Sequence, residues 1–325
     1  MNSDASRQYE ALTAGTGLVD FRGRTLIEMS GADAASFLQS FCTQDVKRLA
    51  VGEGCEAFIT SVQGKVLGHV MVRREAERIV LDTVPGEGDK LMAHLDRYIF
   101  RADVKLADRS SEWGELLLGG RKCSELLQKI LDQELPVHDL SCVAATVAGR
   151  PVMVQRADRL LAESAFLVRA TMDDWATVEQ QLFDTGAMPC SLATFDTVRI
   201  EAGWPLYGRD INEQHLPQEV DRDAQAISFR KGCYLGQETV ARIDALGHVN
   251  RKLRGLKFTG NSEPPIGLPL MDAEKQVGEV TSATWSPKFG APLALGYVRR
   301  GHNEPGTRLT SSLGDVEVVQ LPQSR

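Results

Sequence analysis

Leu26-Ile27-Glu28-Met29-Ser30-Gly31-Ala32-Asp33-Ala34-Ala35-Ser36-Phe37-Leu38-Gln39 reads as a short apolar strand, a glycine turn and an amphipathic helix. The same pattern returns in Glu115-Leu116-Leu117-Leu118-Gly119-Gly120-Arg121-Lys122-Cys123-Ser124-Glu125-Leu126-Leu127-Gln128, with paired apolar residues and a Gln in matching places. The echo continues downstream. Arg78-Ile79-Val80-Leu81 leads through Pro85-Gly86 into a helical pattern over Lys90–Ile99, and Ala165-Phe166-Leu167-Val168 precedes a second one over Asp173–Phe183. Asp173 or Asp174 is the expected cap of that second helix. Each half thus carries one helix after its first strand and another after its later strands. That is the element order of a ferredoxin-like α+β unit, and two copies would pack side by side.

The length, 325 residues, accommodates two or three domains at roughly 100–200 residues each. From about Arg251 the texture changes to short apolar or alternating runs, Leu253–Phe258, Gln276–Trp285, Ala294–Val298 and Val316–Val319, parted by turn clusters such as Glu263-Pro264-Pro265-Ile266-Gly267. Many short strands with Gly/Pro turns predict a small β-barrel or sandwich. The expected organisation is a first ferredoxin-like unit over residues 1–110, a second over 111–248 and a C-terminal β-barrel over 249–325, with the boundary between the first two open to discontinuity.

Hydrophobic residues at 42% and charged residues at 25% exclude wholesale disorder. The net charge of −7 argues against a protein that coats nucleic acid, because phosphate contacts need a local cation surplus. A small basic pocket for an acidic ligand stays open. No stretch approaches the roughly 20 apolar residues of a membrane helix, so no membrane partner is expected. The segment Met1–Arg7 lacks the apolar core of a secretory signal. Six cysteines without a Cys-x-x-Cys pair point to a reducing, cytoplasmic location, and the histidines offer no i, i+4 metal pair, so no metal site is expected.

The stretch that bears most on chemistry is Phe229-Arg230-Lys231-Gly232-Cys233-Tyr234-Leu235-Gly236-Gln237-Glu238-Thr239-Val240-Ala241-Arg242. Glycines let the backbone turn tightly and approach a ligand. Arg230 and Lys231 would favour the thiolate of Cys233, the reactive form of the side chain. A helix opening at Gly236-Gln237 would add donors from its N-terminus. The competing reading is a buried cysteine in a glycine-rich turn.

Lys231-Gly232-Cys233-Tyr234-Leu235-Gly236-Gln237-Glu238 resembles the K-G-C-[YF]-x-G-Q-E signature of the YgfZ family, folate-binding relatives of the glycine-cleavage T-protein, or aminomethyltransferase. Thr16–Asp20, Ser30–Gln39 and Thr43-Gln44-Asp45-Val46 are similar to the opening strand, helix and T-[NQ]-D segment of that superfamily. Arg199–Gly208 resembles R-x-E-A-G-x-P-x-Y-G, and Gly278–Ser282 with Ser286-Pro287 resembles the start of its barrel domain. The resemblance implies an α+β fold in which two ferredoxin-like units and a small C-terminal β-barrel form a ring around a central cavity. It implies tetrahydrofolate as cofactor, with Glu201 carried over as pterin-binding, since a carboxylate takes paired hydrogen bonds from a pterin edge. Tyr207 would pack on a ring or fill a core, and some Arg or Lys should meet the glutamate tail of folate.

The resemblance further implies support of iron–sulfur cluster assembly or repair, including that of radical enzymes that modify tRNA. Iron–sulfur client or assembly proteins are then the partners, without direct contact to nucleic acid. Cys233 would be the nucleophilic or redox-active thiolate, Lys231 would tune it, Gly232, Tyr234 and Gly236 would shape the loop, and Gln237 and Glu238 would orient it. The alternative is a folate-dependent aminomethyltransferase, one-carbon transferase or demethylase. A third class, an adaptor that has lost folate binding, also stays open, as does whether any chemical step is catalysed. The true aminomethyltransferases resemble Q-G-G-x-x-D-D where this chain has Gln63-Gly64-Lys65-Val66-Leu67-Gly68-His69. Glycine offers no acid or base, and His69 is either a substitute general base or a packing histidine.

Overall fold

The computed structural model describes residues 3–322. Helix α1 (Ser3–Thr13) precedes strand β1 (Gly17–Asp20). The first repeat follows as β2 (Thr25–Ser30), α2 (Ala34–Gln39), β3 (Gly54–Thr60), β4 (Val66–Arg74), β5 (Arg78–Thr83), α3 (Gly88–Asp96) and β6 (Lys105–Asp108). The second runs through β7 (Trp113–Gly119), α4 (Cys123–Gln128), β8 (Cys142–Val147), β9 (Arg150–Arg156), β10 (Ala165–Thr171), α5 (Trp175–Asp184) and β11 (Met188–Cys190).

The two sheets carry the duplication in their strand orders, β3-β4-β5-β2-β6 in one and β8-β9-β10-β7-β1-β11 in the other. With β3 and β8 set aside as added edges, each is a ferredoxin-like order. The difference is β1, which pairs antiparallel with β7 and parallel with β11 inside the second sheet. The N-terminal strand therefore completes the sheet of the second repeat. Helix α5 begins after Asp174, but the Asp174 side chain makes no capping bond; it accepts instead from the Thr171 hydroxyl at 3.0 Å.

Helices α6 (Leu192–Glu201), α7 (Asp223–Ala226) and α8 (Gln237–Leu246) lead to the last unit. Its strands β12 (Arg251–Phe258), β13 (Pro269–Asp272), β14 (Lys275–Ser286), β15 (Ala291–Arg299), β16 (Arg308–Ser311) and β17 (Gly314–Val319) close into a six-stranded barrel. This is the expected α+β architecture of two ferredoxin-like units and a C-terminal barrel. Among the described residues no helix is long and apolar enough to cross a membrane.

Each unit has its own apolar core. Leu38, Leu91 and Leu95 of α2 and α3 pack on the first sheet, Leu127, Val178 and Leu182 of α4 and α5 on the second, and Leu256, Val280 and Val298 fill the barrel. Two further clusters join the units. Val19, Phe21, Met71, Leu117, Phe195 and Trp204 lie between the sheets and α6. Phe58, Val66, Tyr207, Tyr234, Leu293 and Tyr297 lie where the first α+β unit and the α6–α8 segment meet the barrel. Fixing these apolar seams is what positions the side chains described next.

Candidate functional site

The signature loop is stitched to the first unit by backbone. The Ser228 amide donates to the Thr43 carbonyl and the Leu235 amide to the Ser40 carbonyl, each at 2.9 Å, and the Thr60 hydroxyl donates to the Leu235 carbonyl at 2.6 Å. The buried Lys231 ammonium donates to the carbonyls of Gln39, Cys42 and Gln44 at 2.7, 2.7 and 2.8 Å. Its three N–H groups are thereby taken, at the end of α2 where helix carbonyls lack intrahelical partners. Its nearby sulfur is the buried Cys42, at 3.9 Å. Burial pushes the Lys231 pKa down, against the pull of Cys42. Cys233 itself is exposed, whereas Cys42, Cys123 and Cys142 are buried and Cys55 and Cys190 half-buried.

The two loop glycines differ. Gly236 has φ +83°, and a Cβ there would lie 2.3 Å from the Ser61 carbonyl and 2.7 Å from Gly64 Cα, so the loop packs directly on the Ser61–Gly64 turn. At Gly232 a Cβ would meet open space. Gln237 accepts from the Tyr234 amide at 3.2 Å, Glu238 faces solvent, and α8 begins at Gln237 as expected. Tyr234 and Tyr207 share one apolar cluster, and the Tyr207 hydroxyl accepts from Lys90 at 2.6 Å. Glu201 stands apart from them. It ends α6, 4% exposed, and accepts from the Tyr9 hydroxyl at 2.7 Å, the Lys288 amide at 3.2 Å and the Ser286 hydroxyl. Burial first, then this bond, keeps the Tyr9 hydroxyl protonated.

The Gly68-His69 position is filled by protein. Gly68 faces α3, where a Cβ would lie 2.8 Å from Leu91 Cδ2. His69 points the other way, 5.1 Å from the Phe58 ring and 5.0 Å from Trp204, with Arg222 over the Trp204 ring at 4.6 Å. Its Nε2 lies 2.7 Å from Glu56 Oε1, and Glu56 also accepts from Arg159 at 2.8 Å and Arg222 at 2.7 Å. Burial works against the Glu56 charge, but Arg222 and His69 hold its pKa well below the ordinary value. Burial lowers His69. The pair is therefore a neutral imidazole donating Nε2–H to an ionised carboxylate.

The sequence reading missed a second charged group, between the sheets. Arg24 Nε lies 2.7 Å from Asp82 Oδ1 and 3.7 Å from Glu115 Oε2, and Arg73 Nη1 lies 2.6 Å from Glu115 Oε1. Asp82, Arg73 and Glu115 are fully buried. Asp82 Oδ2, Glu115 Oε2 and Arg73 Nε and Nη2 make no hydrogen bond, whereas Glu115 Oε1 is held by Arg73 Nη1. A signal existed: Arg73, Asp82 and Glu115 interrupt otherwise apolar strand runs at positions facing the seam. Arg24 also lines a cavity of about 400 Å³ with Phe21, Phe195, Leu206, Arg22 and Arg209. Phe21 and Phe195 meet edge to face at 4.9 Å. Arg24 is the deepest of these cations, its side chain 12% exposed against 35% for Arg209 and 49% for Arg22.

The chain matches the GCVT N-terminal domain over residues 1–230 and the glycine cleavage T-protein C-terminal barrel domain over 251–322. It is 30% identical to an aminomethyltransferase of Symbiobacterium thermophilum over 331 residues, covering 98% of this chain and 85% of the relative. An aminomethyltransferase of Rubrobacter xylanophilus is 28% identical over 292 residues, covering 90% and 78%. The crystal structure of glycine cleavage system aminomethyltransferase T from Bartonella henselae shares the fold with a TM-score of 0.89 at 22% identity, covering 98% of this chain and 89% of that one. This chain belongs to the glycine-cleavage T-protein, or aminomethyltransferase, superfamily.

Proposed function

We propose that this protein binds tetrahydrofolate in the cavity between its sheets and acts in folate-dependent one-carbon transfer of the aminomethyltransferase type. The observation that carries the reading is the fit of that cavity to the cofactor. Folate joins a flat pterin to an anionic glutamate through an aromatic linker. The Phe21–Phe195 pair and Leu206 offer apolar walls for flat rings, and Arg22 and Arg209 line the same cavity, each paired there with a carboxylate, Asp20 at 2.8 Å and Asp196 at 2.7 Å, with which an anionic tail would compete. The names of the relatives support aminomethyl transfer as the reaction class. When bound, tetrahydrofolate would supply the nitrogen that carries the one-carbon unit.

The residues of the chain would bind and shield that unit. Phe58 stacks on His69 and Trp204 packs on it at a tilt, so rings rather than solvent surround that imidazole. Neither Gly68 nor the Glu56-bound His69 offers the free carboxylate of the aspartate pair, so glycine cleavage itself is not favoured.

One observation favours a second reading, the YgfZ-type role in iron–sulfur cluster assembly or repair. Cys233 holds a solvent-facing thiol on a loop whose neighbours are tightly anchored. Such a thiol suits exchange with a cytoplasmic client protein, such as a tRNA-modifying radical enzyme. A single cysteine does not hold a cluster, since clusters take several ligands.

Titration calorimetry with tetrahydrofolate, followed by assays with aminomethyl and methylamine donors, separates the readings. Binding with turnover that survives Cys233→Ala supports the transferase. Binding without turnover, and loss of iron–sulfur enzyme activities in cells carrying Cys233→Ala, supports the second. Absence of binding overturns both.

A further inference from the structure

A second cavity, of about 290 Å³, lies where the β4–β5 turn of the first unit meets the second sheet. Cross-strand register explains its inner wall. Ala144 of β8, Met153 of β9, Arg169 of β10 and Glu115 of β7 stand opposite one another in a single row. Side chains in such a row share one face of the sheet. Here it is the face turned away from α4 and α5, whose core takes the alternate residues Val152, Val154, Val168 and Ala170. Trp113, Pro151 and Met153 give the cavity apolar walls, and Glu75, Arg78 and Arg169 give it charged ones.

The protein's own carboxylates do not satisfy these cations. Arg169, 6% exposed, donates through Nη2 to Glu75 Oε1 at 2.5 Å, and Arg78, also bonded to Glu28, donates through Nε to Glu75 Oε2 at 2.9 Å. Glu115, opposite Arg169 in the row, is held instead by Arg73 at 2.6 Å. Arg169 Nη1 is left without a hydrogen-bond partner. Burial works against the Arg169 charge and Arg73 adds repulsion, with Glu75 and Glu115 opposing both. The Arg169 and Arg78 guanidiniums lie 4.3 and 5.2 Å from the centre of the Trp113 ring, so both cations stand at one aromatic wall. A buried donor with no acceptor is costly. An anion with an apolar body answers the guanidiniums with its charge and the walls with its body. We propose that this cavity binds a small apolar monocarboxylate, its carboxylate held by Arg169 and Arg78 and its body packed against Trp113 and Met153. The cavity shares no lining residue with the one walled by Phe21 and Phe195, and the inference does not depend on the folate reading.

Calorimetry on the full chain compares phenylacetate with phenylacetamide, which has nearly the same shape and no charge. Wild type is expected to bind the acid roughly 10- to 100-fold more tightly, the range of a charge-assisted hydrogen-bonded pair. Arg169→Met puts an apolar side chain in place of the buried cation and leaves Glu75 its bond from Arg78. It should bring the two ligands to within roughly threefold of each other. If Arg169→Met does not fold, Met153→Trp tests the same cavity with every ion pair in place. By filling the apolar wall it should weaken both ligands at least about tenfold while the far-ultraviolet circular dichroism stays that of wild type. Wild type that binds neither ligand or both equally, Arg169→Met that keeps the full preference, or Met153→Trp that binds phenylacetate as before overturns the proposal. Tetrahydrofolate binding should be the same in wild type and both variants, and its absence from wild type would bear on the folate reading alone.

Discussion

At the scale of single residues, the exposed thiol and the glycine beside it make opposite kinds of demand. Cys233 is the exposed cysteine of the six, while burial raises the pKa of Cys42, Cys55, Cys123, Cys142 and Cys190. Because thiolate fraction and access together set the rate, Cys233 should alkylate with iodoacetamide at least about tenfold faster than any other at pH 7. Peptide mass spectrometry that finds another cysteine labelled first would remove the reactive-thiol reading. Gly68 is decided by its neighbour. Gly68→Asp, which restores one acid of the family pattern, drives a side chain into Leu91 and should cost about 1–3 kcal/mol in urea unfolding without creating glycine-cleavage turnover. The motif itself was legible in the sequence, and so was the exceptional status of Cys233. The destination of Lys231 was not, because a sequence shows that a cation precedes a cysteine but not that its ammonium reaches back to carbonyls of residues 39–44.

At the scale of elements, the segment from Tyr207 to Leu216 shows how a buried titratable group ties a loop to its neighbours. The Val66 amide donates to the His215 carbonyl at 3.0 Å, the His215 Nδ1 accepts from the Asn212 amide at 3.0 Å, and the ring stacks on Tyr297 of β15 at 4.2 Å. Burial first, and the Arg251 charge second, push the His215 pKa down to about 4. Arg251, Lys65 and Asp210 are the charged groups that face it. A histidine whose folded pKa lies below its unfolded value of about 6.5 stabilises fully above that pH, and the contribution is lost as pH falls through about 4. Wild type should therefore lose about 2–3 kcal/mol more stability between pH 7 and pH 4 than His215→Phe, which keeps the stacked ring but cannot protonate. Equal losses in urea melts at the two pH values would refute it. Helix and strand identities were readable here and elsewhere, because they follow from apolar spacing within one segment. The Asp174 cap was not, since an aspartate at the right position can accept from Thr171 as readily as from a helix amide.

At the scale of the whole molecule, the duplication was legible and the interlock of its copies was not. Strand–turn–helix order recurs in the sequence, so two similar units and a β-rich tail could be read directly. The partner of Gly17–Asp20 depends on register across the chain, and alternation alone states that a strand exists without stating its sheet. Placing β1 between β7 and β11 makes the N-terminal segment the link between the edge strand and the rest of the second sheet, and Leu18 sits in that core beside Leu116 and Leu118. Helix α1 adds Leu12 to the seam between the units, and Tyr9 reaches Glu201. A polypeptide of residues 111–248 would lack all of this, leaving β7 and β11 with unpaired edges and the Leu116–Leu118 face open to water. It should therefore show no cooperative thermal transition and poor amide dispersion by NMR, whereas the same polypeptide carrying residues 3–24 joined through a flexible linker should recover both. A cooperative fold in the polypeptide without β1 would show that the second repeat needs no strand from the N-terminus. The ring would then be held by surface contact between independent units rather than by exchange of a strand.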